Sequence, residues 1–392
     1  MAEHQLPKIR PLGKLEEIAA AAHHIDFFTN CAISAHYRAS QPLPSLDLEP
    51  LVLSALSQVL RQHPILFAIP VVPDTEQPYW SRLPSIDLKQ VVSFVERSCP
   101  LSSDSQTDYE LDALLEDRHN TSFKAGYGTL PVWRLIILQD YHSKDGFMAS
   151  FCYHHSQCDG TSSQILQDSF QRALCDISSG SVGIQAVEVV PSDESSISLP
   201  LEDLHPLPLP ESLPTPDAAN PNEWRGSRVD NVLGNYIDAF KVQLHRSDLD
   251  QSSEGAATIW KHAKKVQQAT RQYFANTSPS GEPYANVAIF KLIPDVKAFL
   301  ASTVGNPRGE SFEVSNLGHF PEPKILKGDG NPSWRRGKLL LSRCAFASGA
   351  PLVICVIDNE ESVGIGFTWQ ADVGDDEVAD SVIDGLKRYF TS

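Results

Sequence analysis

The sequence predicts a mixed α/β protein of two domains, on three observations. The chain has 392 residues, more than a single hydrophobic core ordinarily serves. Some segments repeat apolar residues at helical spacing and others run like strands. From Ser178 to about Asn222 the composition turns to Ser, Pro and Gly, with six prolines between Pro200 and Pro216, which marks a linker. The predicted division is an N-terminal domain over 1–198, a linker over 199–223 and a C-terminal domain over 224–392.

Taken in order, Leu15 to Ala22 is rich in helix formers, and the apolar run from Ile25 to Ala35 suits a strand. Ser45 or Asp47 can cap a helix in which Leu48, Leu51, Val52, Ala55, Leu56, Val59 and Leu60 recur at helical spacing. His63-Pro64 ends it. Val132 to Leu138 and Phe147 to Tyr153 flank the polar turn His142-Ser143-Lys144-Asp145-Gly146 and predict a hairpin. Beyond Gly160, the positions Ile165, Leu166, Phe170 and Leu174 change to helical spacing, so the intervening segment is a strand-to-helix junction. The second half predicts a helix from Thr258 to Tyr273, a strand from Val287 to Leu292 and a helix from Asp295 to Ser302. Two further strands, Pro351 to Ile357 and Val363 to Trp369, precede a last helix opened by Asp375-Asp376.

A formal charge of −17 repels a phosphate backbone and argues against nucleic acid as a partner. Basic residues are densest in Trp260-Lys261-His262-Ala263-Lys264-Lys265 and Arg335-Arg336-Gly337-Lys338. Either cluster can meet an anionic small molecule or form a solvated face, and the solvated face is the commoner use of such a run. The seven cysteines are scattered without CxxC or metal-finger spacing, so they read as reduced thiols. Neither a leader pattern nor an apolar run of membrane-spanning length is evident. The expectation is a monomeric cytoplasmic protein, with peripheral membrane contact open.

The junction carries the chemistry-bearing residues, Phe151-Cys152-Tyr153-His154-His155 followed by Asp159 and Gly160. Successive strand residues face opposite ways, so only one of the two histidines can address a given pocket. His155, nearer the point where the chain leaves the sheet, is the candidate general base. Asp159 can orient its imidazole directly, or bind an arginine and lock the loop. Gly160 supplies an unusual backbone angle or room for close approach. A structural histidine pair capping a strand is the plain alternative. A metal site built from His154, His155, Cys158 and Asp159 lacks a second ligand cluster.

His154-His155-Ser156-Gln157-Cys158-Asp159-Gly160 matches HHxxxDG and resembles the signature of the CoA-dependent acyltransferase superfamily, which includes chloramphenicol acetyltransferases, plant BAHD enzymes and peptide-synthetase condensation domains. Arg10-Pro11-Leu12-Gly13-Lys14-Leu15-Glu16, His63-Pro64-Ile65-Leu66 and Phe312-Glu313-Val314-Ser315-Asn316-Leu317-Gly318 resemble the fungal alcohol O-acetyltransferase branch. The likeness spans most of the chain. The DFGWG motif of plant members is absent.

The resemblance implies two chloramphenicol acetyltransferase-like lobes, each a β-sheet with covering helices, and a tunnel between them for acetyl-CoA (or another acyl-CoA) and an alcohol acceptor. It implies His155 as general base, His154 and Gly160 as motif residues, and Asp159 as a structural partner of an arginine, for which Arg228 is the candidate. Ser315 or Asn316 would donate to the oxyanion. No bound cofactor or metal is implied. Only Asn222 to Val232 fills the place where relatives carry a long stretch before the segment resembling Leu233-Gly234-Asn235-Tyr236, so the second lobe is expected to be shortened. Two other readings keep the same residues: condensation or cyclisation with a carrier-bound acyl group, and a degenerate homologue that only binds a ligand.

Overall fold

The structure is a computed structural model that describes residues 6–40, 47–72, 77–99, 107–140, 146–185, 187–205, 207–209, 233–242, 255–322 and 334–391. In chain order the first half forms β1 (Lys8–Pro11), α1 (Lys14–His24), β2 (Cys31–Ala39), α2 (Leu48–Gln62), β3 (Ala68–Val71), β4 (Tyr79–Arg82), β5 (Ser85–Asp87), β6 (Val92–Arg97), α3 (Tyr109–His119), β7 (Trp133–Asp140), β8 (Gly146–Tyr153) and α4 (Gly160–Ser178). Then come β9 (Val189–Pro191), α5 (Leu201–Leu204), α6 (Gly255–Phe274), α7 (Val296–Ser302), β10 (Glu313–His319), β11 (Trp334–Arg343), β12 (Leu352–Asp358), β13 (Val363–Trp369) and α8 (Asp376–Thr391).

The central sheet has strand order β11-β2-β8-β7-β6. The predicted hairpin is its middle: β7 and β8 run antiparallel, with Trp133 opposite Tyr153 and Gln139 opposite Phe147. Alternation along β8 divides its side chains between two layers. Phe147, Ala149, Phe151 and Tyr153 enter the main core, whereas Met148 and Cys152 join Leu111 and Leu115 of α3 on the other face. Trp133 is fully buried and its indole N–H donates to the Leu66 carbonyl at 2.9 Å. Taking a side chain of that size out of water contributes roughly 1.5–3 kcal/mol, and the hydrogen bond removes the cost of burying its polar end.

A strand from the second half completes this sheet. β11 pairs antiparallel with β2, from Trp334 opposite Ala39 to Arg343 opposite Cys31. The other main sheet, β10-β12-β13, also comes from the second half, with β10 parallel to β12 and β13 antiparallel to it. It meets β11 through glycine. A Cβ on Gly364 would run into the Leu339 carbonyl, and one on Gly366 would lie 2.5 Å from the Leu341 carbonyl oxygen. The main core accordingly draws on both halves, joining Phe151 and Phe170 with Leu339, Leu341, Val353 and Ile357.

Several expectations change. The strand expected from Ile25 begins at Cys31, because α1 runs on to His24 and closes with a turn in which Phe27 N–H donates to the Ala22 carbonyl and Asp26 takes φ 60°. Val287 to Leu292 is a 3-10 helix, Asn286–Leu292, not a strand. A short apolar run has no period long enough to distinguish the two. Asp47 caps α2, accepting from Glu49 N–H at 3.3 Å; Ser45, the turn at 141–145 and most of the proline-rich linker lie outside the described residues. The segment Arg335 to Lys338 is part of β11, and Arg336 is 3% exposed. Its guanidinium reaches Asp168 of α4 at 2.6 Å and sits 3.7 Å from the Phe320 ring centroid, so it ties helix to sheet. The Trp260 to Lys265 run lies on an exposed face of α6. All seven cysteines are free thiols. Among the described residues no helix is long and apolar enough to cross a membrane.

Burial holds His23, His36, His63 and His119 neutral, lowering each from 6.5 to about 4. Between those values the unfolded chain binds protons that the folded chain refuses, so stability rises with pH across that window and is lost as pH falls from 6.5 towards 4. The thermal unfolding midpoint is therefore expected to be lower at pH 5 than at pH 7; equal midpoints would mean that these imidazoles are not buried neutral.

Candidate active site

The junction between β8 and α4 is organised by Asp159. Its backbone is extended and its side chain caps α4, with Oδ1 accepting from Ser162 N–H at 2.7 Å. Oδ2 accepts from Tyr236 N–H at 3.0 Å, and the Asp159 N–H donates to the Gly234 carbonyl at 2.9 Å. The Ser162 hydroxyl bridges the same segment, donating to Gly234 O at 2.7 Å while Gly234 N–H lies 2.9 Å from its oxygen. Both carboxylate oxygens of Asp159 are thus engaged by backbone amides. It makes no hydrogen bond to His155, and Arg228 lies outside the described residues.

His154 and His155 follow the last residue of β8, in the turn that leads to α4, and their surroundings differ. His154 is 1% exposed; its Nδ1 accepts from Ser156 N–H at 3.0 Å and lies 2.7 Å from the Ser156 hydroxyl. Its ring lies 4.6 Å from that of His23 of α1, tilted by 51°. Burial, then His23 and His155, push it well below the ordinary histidine range. A ring so enclosed shapes the turn. His155 instead is partly exposed as a residue, with Nδ1 buried and bonded to no other residue. The Phe28 ring lies against it at 5.7 Å. Burial lowers its proton affinity; its own carbonyl opposes, Arg343 lowers it further, and Asp159 and Glu313 raise it. The net direction is downward, towards a neutral imidazole.

The segment containing Ser315 and Asn316 forms β10 and comes up against the junction. A Cβ at Gly160 would run into the Leu317 side chain, so this glycine serves close approach. Ser315 pairs with Cys355 of β12 and is half-buried, on the strand face shared by Glu313 and Leu317. Asn316 is on the opposite face, exposed, with Oδ1 accepting from Gly318 N–H at 2.8 Å. Ser315 and Asn316 therefore face opposite ways on β10, with Ser315 on the face of Leu317, the side chain against Gly160.

The motif segments converge here through polar contacts. Gln157 donates from Nε2 to the carbonyls of Ile65 at 3.0 Å and Ala68 at 2.6 Å, which binds His63-Pro64-Ile65-Leu66 beneath the turn. In Arg10 to Glu16 the guanidinium and carboxylate form a bidentate pair at 2.7 Å. Glu16 also accepts from Gly13 N–H and the Trp80 indole, and Arg10 reaches the Ser198 carbonyl. Sequence reasoning missed Phe28, Glu313 and Arg343 around His155. They lie on other strands and loops, and only the position of Glu313 beside the Val314-Ser315-Asn316 segment gave a signal. Among the described residues no three His, Cys, Asp or Glu side chains converge as a metal-ligand group.

The model of the alcohol acetyltransferase family matches residues 11–213. A probable alcohol acetyltransferase of Aspergillus fumigatus, crmB, is 36% identical over 459 residues, covering 96% of this chain and 98% of that protein. Because that alignment is longer than this chain, the relative carries residues with no counterpart here. Among solved structures, the trichothecene 15-O-acetyltransferase TRI3 of Fusarium sporotrichioides superposes with a TM-score of 0.60 at 11% identity, covering 96% of this chain and 93% of that one. The first condensation domain of the calcium-dependent antibiotic synthetase gives 0.51 at 11% identity, covering 97% and 95%. At such identities these two likenesses carry the fold, a two-lobed chloramphenicol acetyltransferase-like architecture. The matching family model and the full-length relative carry more: this chain belongs to the alcohol acetyltransferase family and is an acyltransferase.

Proposed function

We propose that this acyltransferase moves an acetyl group from acetyl-CoA to the hydroxyl of a small alcohol or secondary metabolite, with His155 as general base. The observation that carries the reading is a neutral imidazole on a partly exposed residue at the strand-to-helix junction, where β10 of the second sheet closes on Gly160. His155 takes the hydroxyl proton as the acceptor oxygen attacks the thioester carbonyl. The tetrahedral oxyanion accepts a hydrogen bond from Ser315, the donor on the inward face of β10. Collapse breaks the carbon–sulfur bond, and the thiolate leaves as CoA thiol with the proton held by His155. The ester forms directly and no acyl-enzyme intervenes.

Asp159 acts by shape. Its two oxygens hold the start of α4 and the Gly234 to Tyr236 segment together, which fixes the turn on which His155 stands. His154 and Gly160 belong to the same framework.

Acceptor-dependent release of free CoA thiol, measured across a panel of alcohols, is expected to fall by roughly 10²–10⁴-fold in His155→Ala at equal folded concentration. Release that survives the substitution would remove His155 from the chemistry, and turnover only with a carrier-bound acyl group would replace the CoA donor. Because the imidazole is held below its usual range, kcat/KM is expected to stay level through neutrality and decline only on the acid side of the ordinary histidine titration. A profile between pH 5 and 8 checks this, and a decline beginning above pH 7 would contradict it. Asp159→Ala is expected to cost roughly 1–2 kcal/mol in urea unfolding, the scale of a lost helix cap, with a smaller loss of kcat than His155→Ala. An equal kcat loss without destabilisation would make Asp159 part of the proton chemistry.

A further inference from the structure

Arg343 is the last residue of β11, opposite Cys31 at the start of β2, so it projects from the edge strand of the central sheet. Glu313 is the first residue of β10 in the other sheet. Their side chains meet, Arg343 Nη2 to Glu313 Oε2 at 2.5 Å, with the arginine 12% exposed and the glutamate 48% exposed. The guanidinium carbon is 5.7 Å from the centroid of the Phe28 ring, the same ring that lies 5.7 Å from the His155 imidazole. The pair is asymmetric. The cation is largely buried, against the Phe28 ring that also meets His155, where its field is poorly screened, while half of the anion faces water, where screening weakens it.

We propose that Arg343 and Glu313 are paired positioning residues for His155: the arginine presents a buried positive charge to the base, and the carboxylate from the opposite sheet sets how much of that charge the base feels. The inference rests on the reading of His155 as general base. An arginine remains a cation in such a site, so the charge is permanent and its strength at His155 depends on how closely β10 holds Glu313 against β11. The other groups facing His155 are Asp159, from the cap of α4, and His154 beside it, with His23 of α1 behind His154. Asp159 is fixed by Ser162 and Tyr236 and the two histidines are held neutral by burial. The Arg343–Glu313 contact is thus the charged pair at the base that spans the two sheets.

A purely structural tie would be broken alike by loss of either partner, whereas a charge effect moves the two variants in opposite directions. Arg343→Gln removes the repelling cation, so His155 is expected to take up its proton at higher pH than in the parent protein. Glu313→Gln leaves the cation uncompensated, so protonation is expected at lower pH. The double variant is expected between them, and Arg343→Lys, which keeps the charge, is expected to stay near the parent. The measurement is a carbon-13 NMR titration of the His155 Cε1 position in the full-length folded chain, assigned by the signal missing from His155→Asn. The acid limb of kcat/KM with acetyl-CoA is followed in parallel. Shifts of the same sign in both single variants, or none in either, would overturn the proposal; should Arg343→Gln not fold, Glu313→Gln and Arg343→Lys decide it, and a Glu313→Gln titration that fails to move downward overturns it. The NMR shifts do not depend on turnover. Opposed shifts in a chain whose turnover survives His155→Ala would therefore sink the general-base reading and leave the coupling standing, while normal His155-dependent turnover with unmoved titrations would sink the coupling alone.

Discussion

The carboxylate of Asp159 is the interaction on which the site depends. One oxygen closes the first turn of α4 through Ser162 and the other takes the Tyr236 amide from the second half of the chain. At 5% exposure such an anion is tolerable only when hydrogen bonds replace its water, and the two amides, with the partial positive end of α4, do so. The geometry that satisfies Asp159 also determines where the chain leaves β8, and with it the direction of His155. Asp159 makes these contacts without a hydrogen bond to the imidazole.

The other motif segments serve the same end. Gln157, inside the histidine motif, is anchored to carbonyls of the Ile65 to Ala68 stretch. His63 reaches Ser169 on α4 at 2.9 Å. Glu16 gathers Arg10, Gly13 and Trp80 around one buried carboxylate and fastens α1, whose His23 packs against His154. These polar ties lie in an apolar interior where a missing partner costs about 1–3 kcal/mol. They leave the turn little freedom to deform.

Contact between the two halves is backbone-deep. β11 crosses into the sheet of the first half, and Gly364 and Gly366 let β13 approach its carbonyls more closely than any side chain would permit. The alignment to crmB, at 459 residues against the 392 of this chain, includes residues of that relative with no counterpart here. The second half supplies β10, and with it Ser315, Leu317 and Glu313 around the junction.

The sequence by itself determined the local features: the helix from Leu48, the β7–β8 hairpin and the strand-to-helix junction. Each follows from periodicity or from the two-residue repeat of a strand, which neighbouring residues encode without help. It could not place β10 and β11. The exposed β10 has no clean alternation, and β11 opens with arginines, one of which is buried only because Asp168 and Phe320 receive it. Nor could it show which way Ser315 and Asn316 face, or reveal Phe28, Arg343 and Glu313 around His155. Those depend on register and on which strand crosses to which sheet, and such pairings are decided by the burial of surfaces far apart in the chain.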